Sequence, residues 1–257
     1  MKMISRAAMA ALLLGAASCN QPSTAADNRT EAVTFVARPD LAEAVEALPR
    51  LVGEGDAIAA INADLDRRDA AAGPDCEGAG GFERGVSQPM TGPDLVSFWI
   101  AEGQYCEGAF SPTTSQTAIT YDLATGQPVD WVAAAPGLQL TRGDPAGQPA
   151  DHVPGLSSTA LSGWYSAEAL ASPDREHVEQ CADIWTPEAL EGVGYKVWLD
   201  ARNGGLSVSP EFAQVAQGCA DTATLNAEEM RRFGVSPPIV DAVVAGHAAG
   251  SWAPKDD

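Results

Sequence analysis

Apolar and polar positions alternate with period two on both sides of Asn203-Gly204. Tyr195, Val197 and Leu199 alternate with Lys196, Trp198 and Asp200, and Leu206 and Val208 alternate with Ser207 and Ser209. This pattern predicts two strands with one buried face. Asn-Gly tolerates positive φ at both positions, so a type I′ hairpin turn is expected between them. Trp198 falls on the face opposite Val197 and Leu199, beside Lys196 and Asp200. It is either a contact to a second layer or, with Lys196 and Asp200, an exposed binding surface. Ser209-Pro210-Glu211 reads as a helix start, with Ser at the cap, Pro at the first helical position and an acid in the first turn. Phe212, Val215, Ala216 and Cys219 would share one face of that helix, and Gly218 would stop it. The fold is expected to assemble on this strand–turn–strand–helix unit.

Elsewhere the periodicity is shorter-ranged. Val33 to Val36 suits a short strand. Leu41, Ala44, Val45 and Leu48 recur at helical spacing, closed by Pro49. Asp56 can cap a helix with Ile58, Ile61 and Leu65 inside and Arg67, Arg68 and Asp69 in solvent. Residues 73–85 form a Gly-rich stretch holding Cys76. It lacks the Lys-Ser/Thr end of a phosphate loop, and a disulfide-pinned surface loop is expected. Residues 94–101 and 117–123 read as strands, the first mostly buried. Trp131 and Val132 begin an apolar piece broken by Pro136-Gly137. Residues 161–170, 174–191 with an interruption at Pro187, 228–233, and the segment opened by Ser236-Pro237-Pro238 read as helices. The expected class is α+β: an antiparallel sheet with helices packed on one face, stapled by two disulfides.

The N-terminus bears on location. Lys2 and Arg6 precede an apolar run from Ala7 to Ala17 that is too short to span a bilayer. Ala16-Ala17-Ser18 before Cys19 looks like a bacterial lipobox, although Ala16 stands where Leu is usual. Residues 1–18 are therefore read as a lipoprotein signal peptide, Cys19 as the lipidated residue and 19–32 as a polar tether. Residues 33–250 would form a single domain, with an internal boundary conceivable in the Gly/Pro-rich 143–155, and 251–257 a tail. The chain is expected in the bacterial cell envelope, facing the periplasm and touching the membrane through its lipid alone.

Export implies an oxidising compartment, where an even cysteine set reads as disulfides. Cys76, Cys106, Cys181 and Cys219 allow three pairings. Local order favours Cys76–Cys106 and Cys181–Cys219, each worth about 3 kcal/mol through constraint of the unfolded chain. No CxxC spacing supports a metal site. The formal net charge is −20, and loss of a leader carrying two cations makes the mature chain more negative still. Such a chain repels nucleic acid and attracts cationic partners.

No catalytic motif stands out. His152, His177 and His247 lie outside any zincin or deaminase arrangement, and no G-x-S-x-G elbow is present. Ser157 and Ser158 are the nearest approach to a nucleophile. The tryptophans could stack on sugars, but such residues more often anchor a core.

The ordered motifs Ile61-Asn62, Asp122 with Thr125-Gly126, Gly205-Leu206 with Pro210, and Ala216 to Gly218 carry a resemblance. Together they resemble an exported α+β domain of unknown chemistry found in the extracellular part of lysozyme-sensing anti-sigma factors and beside some peptidoglycan deacetylase domains. The chain carries neither a sigma-binding segment nor a deacetylase metal motif. The resemblance therefore implies a binding module for a cationic, lysozyme-like protein or a wall glycan, without catalytic residue, metal or cofactor. An envelope hydrolase acting on peptidoglycan or another glycan or ester is the competing expectation, and an assembly partner docking through Trp198 a third.

Overall fold

Long alternating runs pair into the first sheet. In the computed structural model, which describes residues 33–74, 76, 79–108, 112–144, 146 and 152–253, strands β3 (Ala79–Thr91), β4 (Leu95–Cys106), β5 (Thr113–Asp122) and β6 (Gln127–Pro128) lie in that order, all antiparallel. The leader, Cys19 and the tether lie outside the described residues. Two short strands, β1 (Phe35–Val36) and β2 (Arg50–Leu51), form a separate ribbon. Helix α1 (Asp56–Ala71) shares a core with the first sheet, burying Ile61 and Leu65 among Val96, Phe98, Ile100, Ile119 and Tyr121.

The second sheet has five strands in the order β11 (Ala223–Asn226), β10 (Gly205–Pro210), β9 (Tyr195–Asp200), β8 (Leu156–Ser157) and β7 (Thr141–Arg142). Helices α2 (Trp131–Ala134), α3 (Thr159–Leu170), α4 (Arg175–Cys181), α5 (Ala227–Arg232) and α6 (Pro237–Ala249) contribute to its core, which centres on Trp185, Tyr165, Tyr195, Leu199 and Leu206. Residues 143–155 connect β7 to β8, which are paired neighbours in this sheet. The α+β class and the antiparallel pairing are as the sequence predicts, but the strands divide into separate sheets. Disulfides join Cys76 to Cys106 and Cys181 to Cys219. Such bonds persist in an oxidising, exported setting. Among the described residues no helix is long and apolar enough to cross a membrane.

The predicted hairpin is β9–β10, but its turn differs. Asp200 pairs with Gly205, leaving a four-residue connection in which Gly204 alone takes positive φ, at 68°. The Asp200 carboxylate accepts from the Asn203 backbone N–H at 3.1 Å and from its side-chain amide at 2.8 Å, favouring the longer turn. Both hairpin faces are buried. Trp198 is 4% exposed and packs on Trp99 with ring centroids 4.5 Å apart, and Asp200 is 8% exposed. The proposed exposed surface of Trp198, Lys196 and Asp200 is thus corrected: Trp198 joins two layers, and Asp200 organises the turn.

Four further expectations are revised. Ser209 and Pro210 end strand β10, because Ser209 pairs with Lys196 and Pro210 with Tyr195. The helix expected after them is a 3-10 segment, Gln214–Cys219, in which Val215 is 98% exposed. Residues 41–48 are not helical. Ala44 has φ 58°, and the chain there runs beside Arg84, which donates its N–H to Ala44 at 2.9 Å and accepts from Glu46 N–H at 3.0 Å. Half of the Gly-rich 73–85 is strand β3, which pairs with β4 in a hairpin whose open end, at Ala79 and Cys106, carries the Cys76–Cys106 bridge. Helix within 174–191 is confined to α4, followed by turns.

The sheets meet where β9 abuts the first sheet. Leu199 N–H donates to Thr120 Oγ1 at 3.2 Å, Ala201 N–H to the Pro89 carbonyl at 2.9 Å, and Trp198 covers Trp99. Truncating a buried Trp loses transfer energy and leaves a cavity. Trp198→Ala should therefore cost about 3–5 kcal/mol in urea denaturation; a loss below about 1 kcal/mol would contradict this packing.

Candidate functional site

Regular strand pairing breaks off between the two sheets. Strand β6 is short because, after Val129 N–H donates to Thr120, Asp130 caps α2, its side chain accepting from Val132 N–H at 3.2 Å. The chain turns away there, so β5 loses its outer neighbour beyond Thr120. Strand β8 pairs with β9 at one position, Leu156 with Tyr195. A cavity of about 300 Å³ fills the space left open, lined by residues 116–120 of β5, 127–131, Arg142, 153–156 and 195–197 of β9.

Its charged groups are paired. Arg142 meets Asp130 at 2.9 Å, and Lys196, the third residue of the predicted surface, meets Glu211 at 3.2 Å. Burial raises the Tyr195 phenol above its ordinary pKa, against the opposing effect of its hydrogen bond with Ser162. It is therefore a neutral donor to Ser162 Oγ, at 3.1 Å. Trp131, Val129 and Val197 supply apolar wall. No nucleophile with an adjacent base lines this space.

The other sequence candidates have structural employment. Ser158 caps α3, accepting from Leu161 N–H at 3.1 Å and donating to the Leu138 carbonyl. Ser157 Oγ lies 3.5 Å from the Thr141 carbonyl it faces. Neither hydrogen-bonds a histidine. His177 contacts Asp221 at 3.1 Å and packs edge-on to Trp185 beside the Cys181–Cys219 bridge, and His247 lies 2.8 Å from the Ala201 carbonyl. His152 is exposed in the β7–β8 connection. Among the described residues no group of histidines, cysteines and acids could hold a metal ion. The motif residues are likewise structural. Asn62 bonds both the N–H and the carbonyl of Leu51, at 2.9 and 3.0 Å. Asp122 accepts from the N–H groups of Ala124 and Thr125 at 2.7 and 3.0 Å. Gly126 has φ 71° and lies so close to the Ala57 backbone that a Cβ would sit 2.5 Å from its oxygen.

Sequence reasoning missed an ion network beneath α1. Arg68, expected in solvent, is buried, and so is most of the Asp69 side chain, at 8% exposed. Asp69 accepts from Arg50 at 2.7 Å, Arg84 at 2.8 Å and Leu48 N–H at 3.1 Å, while Asp64 binds Arg67, Arg68 and the Tyr121 hydroxyl. Helical spacing alone shows i,i+4 partners such as Asp64 and Arg68; it cannot show Arg50 and Arg84 arriving from two strands. Burial pushes the Asp69 carboxyl up, but the hydrogen bonds from Arg84 and Arg50 outweigh it and hold the pKa below the ordinary value. That stabilisation is complete above the ordinary carboxylate range and is lost as pH falls through the depressed value. Asp69→Asn leaves Arg84 and Arg50 short of a counter-charge, so it should cost about 3–5 kcal/mol at neutral pH. It should also flatten the acid limb of the stability–pH curve; an unchanged limb would show that Asp69 is not its source.

No family model matches the chain, and no curated protein does. Among solved structures, a crystal structure of a member of the DUF3298 family from Bacteroides fragilis NCTC 9343 is similar, with a TM-score of 0.39 and 17% identity over 72% of this chain and 68% of that one. Nothing further rests on that likeness.

Proposed function

We propose that the chain is a non-enzymatic, lipid-anchored binding module of the bacterial cell envelope whose partner is a cationic, lysozyme-like protein. The observation that carries the reading is the placement of charge. Asp174, Glu176, Glu179, Asp183, Glu188 and Glu191 are all exposed between α3 and β9, where Arg175 is the one arginine or lysine. With a formal net charge of −20, this acidic stretch favours rapid, salt-sensitive encounter with a basic protein. A protein partner fits better than a wall glycan. Trp131, Trp164, Trp185 and Trp198 are buried, and Trp99 and Trp252 are partly covered, so no indole forms an open stacking platform. The paired charges and structurally employed serines support binding over hydrolysis.

Immobilised chain should retain hen lysozyme at low ionic strength and release it as salt shortens the screening length. Replacing Glu176, Glu179 and Asp183 together by lysine should weaken binding at least tenfold while the thermal midpoint holds. Retention that is equal at both salt concentrations would sink the charge-driven reading.

A further inference from the structure

The alternation of hydrogen-bond direction along β5 identifies which of its backbone groups are free. Leu123 N–H donates to Asp94 on the β4 side at 2.9 Å, whereas Thr120 accepts on the opposite side from Val129 N–H at 2.8 Å. In an antiparallel strand, direction alternates residue by residue. Gln116 and Ala118 therefore aim both N–H and C=O away from β4, toward the cavity. Gln214 Oε1 approaches Thr114 N–H at 3.5 Å, and β6 covers Tyr121 and Asp122, so the free edge is bounded at both ends. On β9, Glu211 N–H donates to Gly194 on the β10 side at 2.8 Å, so Tyr195, Val197 and Leu199 point the other way. Tyr195 meets β8 and Leu199 meets Thr120; Val197 faces the same cavity. Among the described residues no protein group pairs these outward valences of Gln116, Ala118 and Val197. Ala118 and Val197 are themselves buried, and unpaired buried backbone groups are costly.

We propose that this slot receives an extended basic segment of the partner protein, added beside β5 along the line that the chain leaves after Val129. The proposal rests on the binding-module reading and names its mode of recognition. Backbone pairing with Gln116 and Ala118 supplies register, and alternate guest side chains pack on Val129, Trp131 and Val197. The guest is basic because the host carries a formal −20; within the slot Arg142 is paired with Asp130 and Lys196 with Glu211, so the lining's own cations are neutralised. Strand edges ordinarily carry protection against such pairing; this one is recessed between two sheets, which hinders edge-to-edge aggregation.

The test is calorimetric titration of the full chain with an end-blocked hexapeptide of alternating lysine and valine, and with its analogue N-methylated throughout. The analogue keeps charge and side chains but has no backbone N–H. The parent peptide should bind, the analogue at least tenfold more weakly, and Gln116→Pro, which removes one outward N–H and leaves the β4 pairing intact, should weaken the parent similarly while Gln116→Ala does not. Equal, salt-sensitive binding of both peptides would overturn strand addition while leaving the charge-driven reading in place. Binding of lysozyme but of neither peptide would also overturn it, as would displacement of the bound peptide by a chitin oligosaccharide. Failure of lysozyme as well as both peptides would remove the binding-module reading too.

Discussion

The outer edge of β9 settles the relation between the two halves of the molecule. A strand needs partners for its outward N–H and C=O groups, and β8 serves only the first residue of β9. The far end finds them on the first sheet, with Leu199 reaching the Thr120 hydroxyl and Ala201 the Pro89 carbonyl. Thr120 can take that role because its other neighbour is Ser97 Oγ, 2.9 Å away, so the hydroxyl pair is satisfied within a buried layer. Trp198 on Trp99 adds the apolar contact that fixes the approach. Hydrogen bonds at Leu199 and Ala201, with none to the outward groups of Val197 among the described residues, leave the join open beside Val197, and that opening is the cavity.

The remaining stabilising devices hold the two walls of that opening still. Beneath the first sheet, Arg50 and Arg84 converge on Asp69 and tie α1 to strands β2 and β3. Buried ion pairs of this kind add less net stability than their geometry suggests, since desolvation offsets most of the attraction. Their effect is to specify one docking of helix on sheet. On the second sheet, the Cys181–Cys219 bridge and the Trp185 indole donating to the Cys219 carbonyl at 2.8 Å anchor the segment that follows β10. Neither device reaches the slot, and so they constrain its shape without filling it.

Period-two alternation on both arms was enough to place the hairpin, and amphipathic spacing enough to place α1, α3, α5 and α6. Disulfide pairing was legible as far as local order goes, because each bridge closes a medium loop within one half of the chain. Tertiary context decided the rest. Residues 41–48 carry a helical pattern, yet a turn closed between Ala42 and Val45 and backbone bonds with Arg84 claim them instead. Ser209-Pro210 has helix-start chemistry, yet pairing with Lys196 and Tyr195 claims it as strand. Trp198 showed which face it lies on but not what covers that face, since Trp99 is remote in sequence. The slot was invisible for a deeper reason: it is made by strand ends that lack partners, and side-chain patterns do not encode a missing neighbour.

The proposed strand addition rests on the free backbone valences of Gln116 and Ala118 on the outer edge of β5. Residue-resolved amide hydrogen exchange on the free chain tests this most directly. The account predicts alternation along β5, with the N–H groups of Thr117 and Ile119 protected by β4 and those of Gln116 and Ala118 exchanging orders of magnitude faster. Uniform protection from residue 116 to 119 would mean that the edge is already paired, and would contradict it.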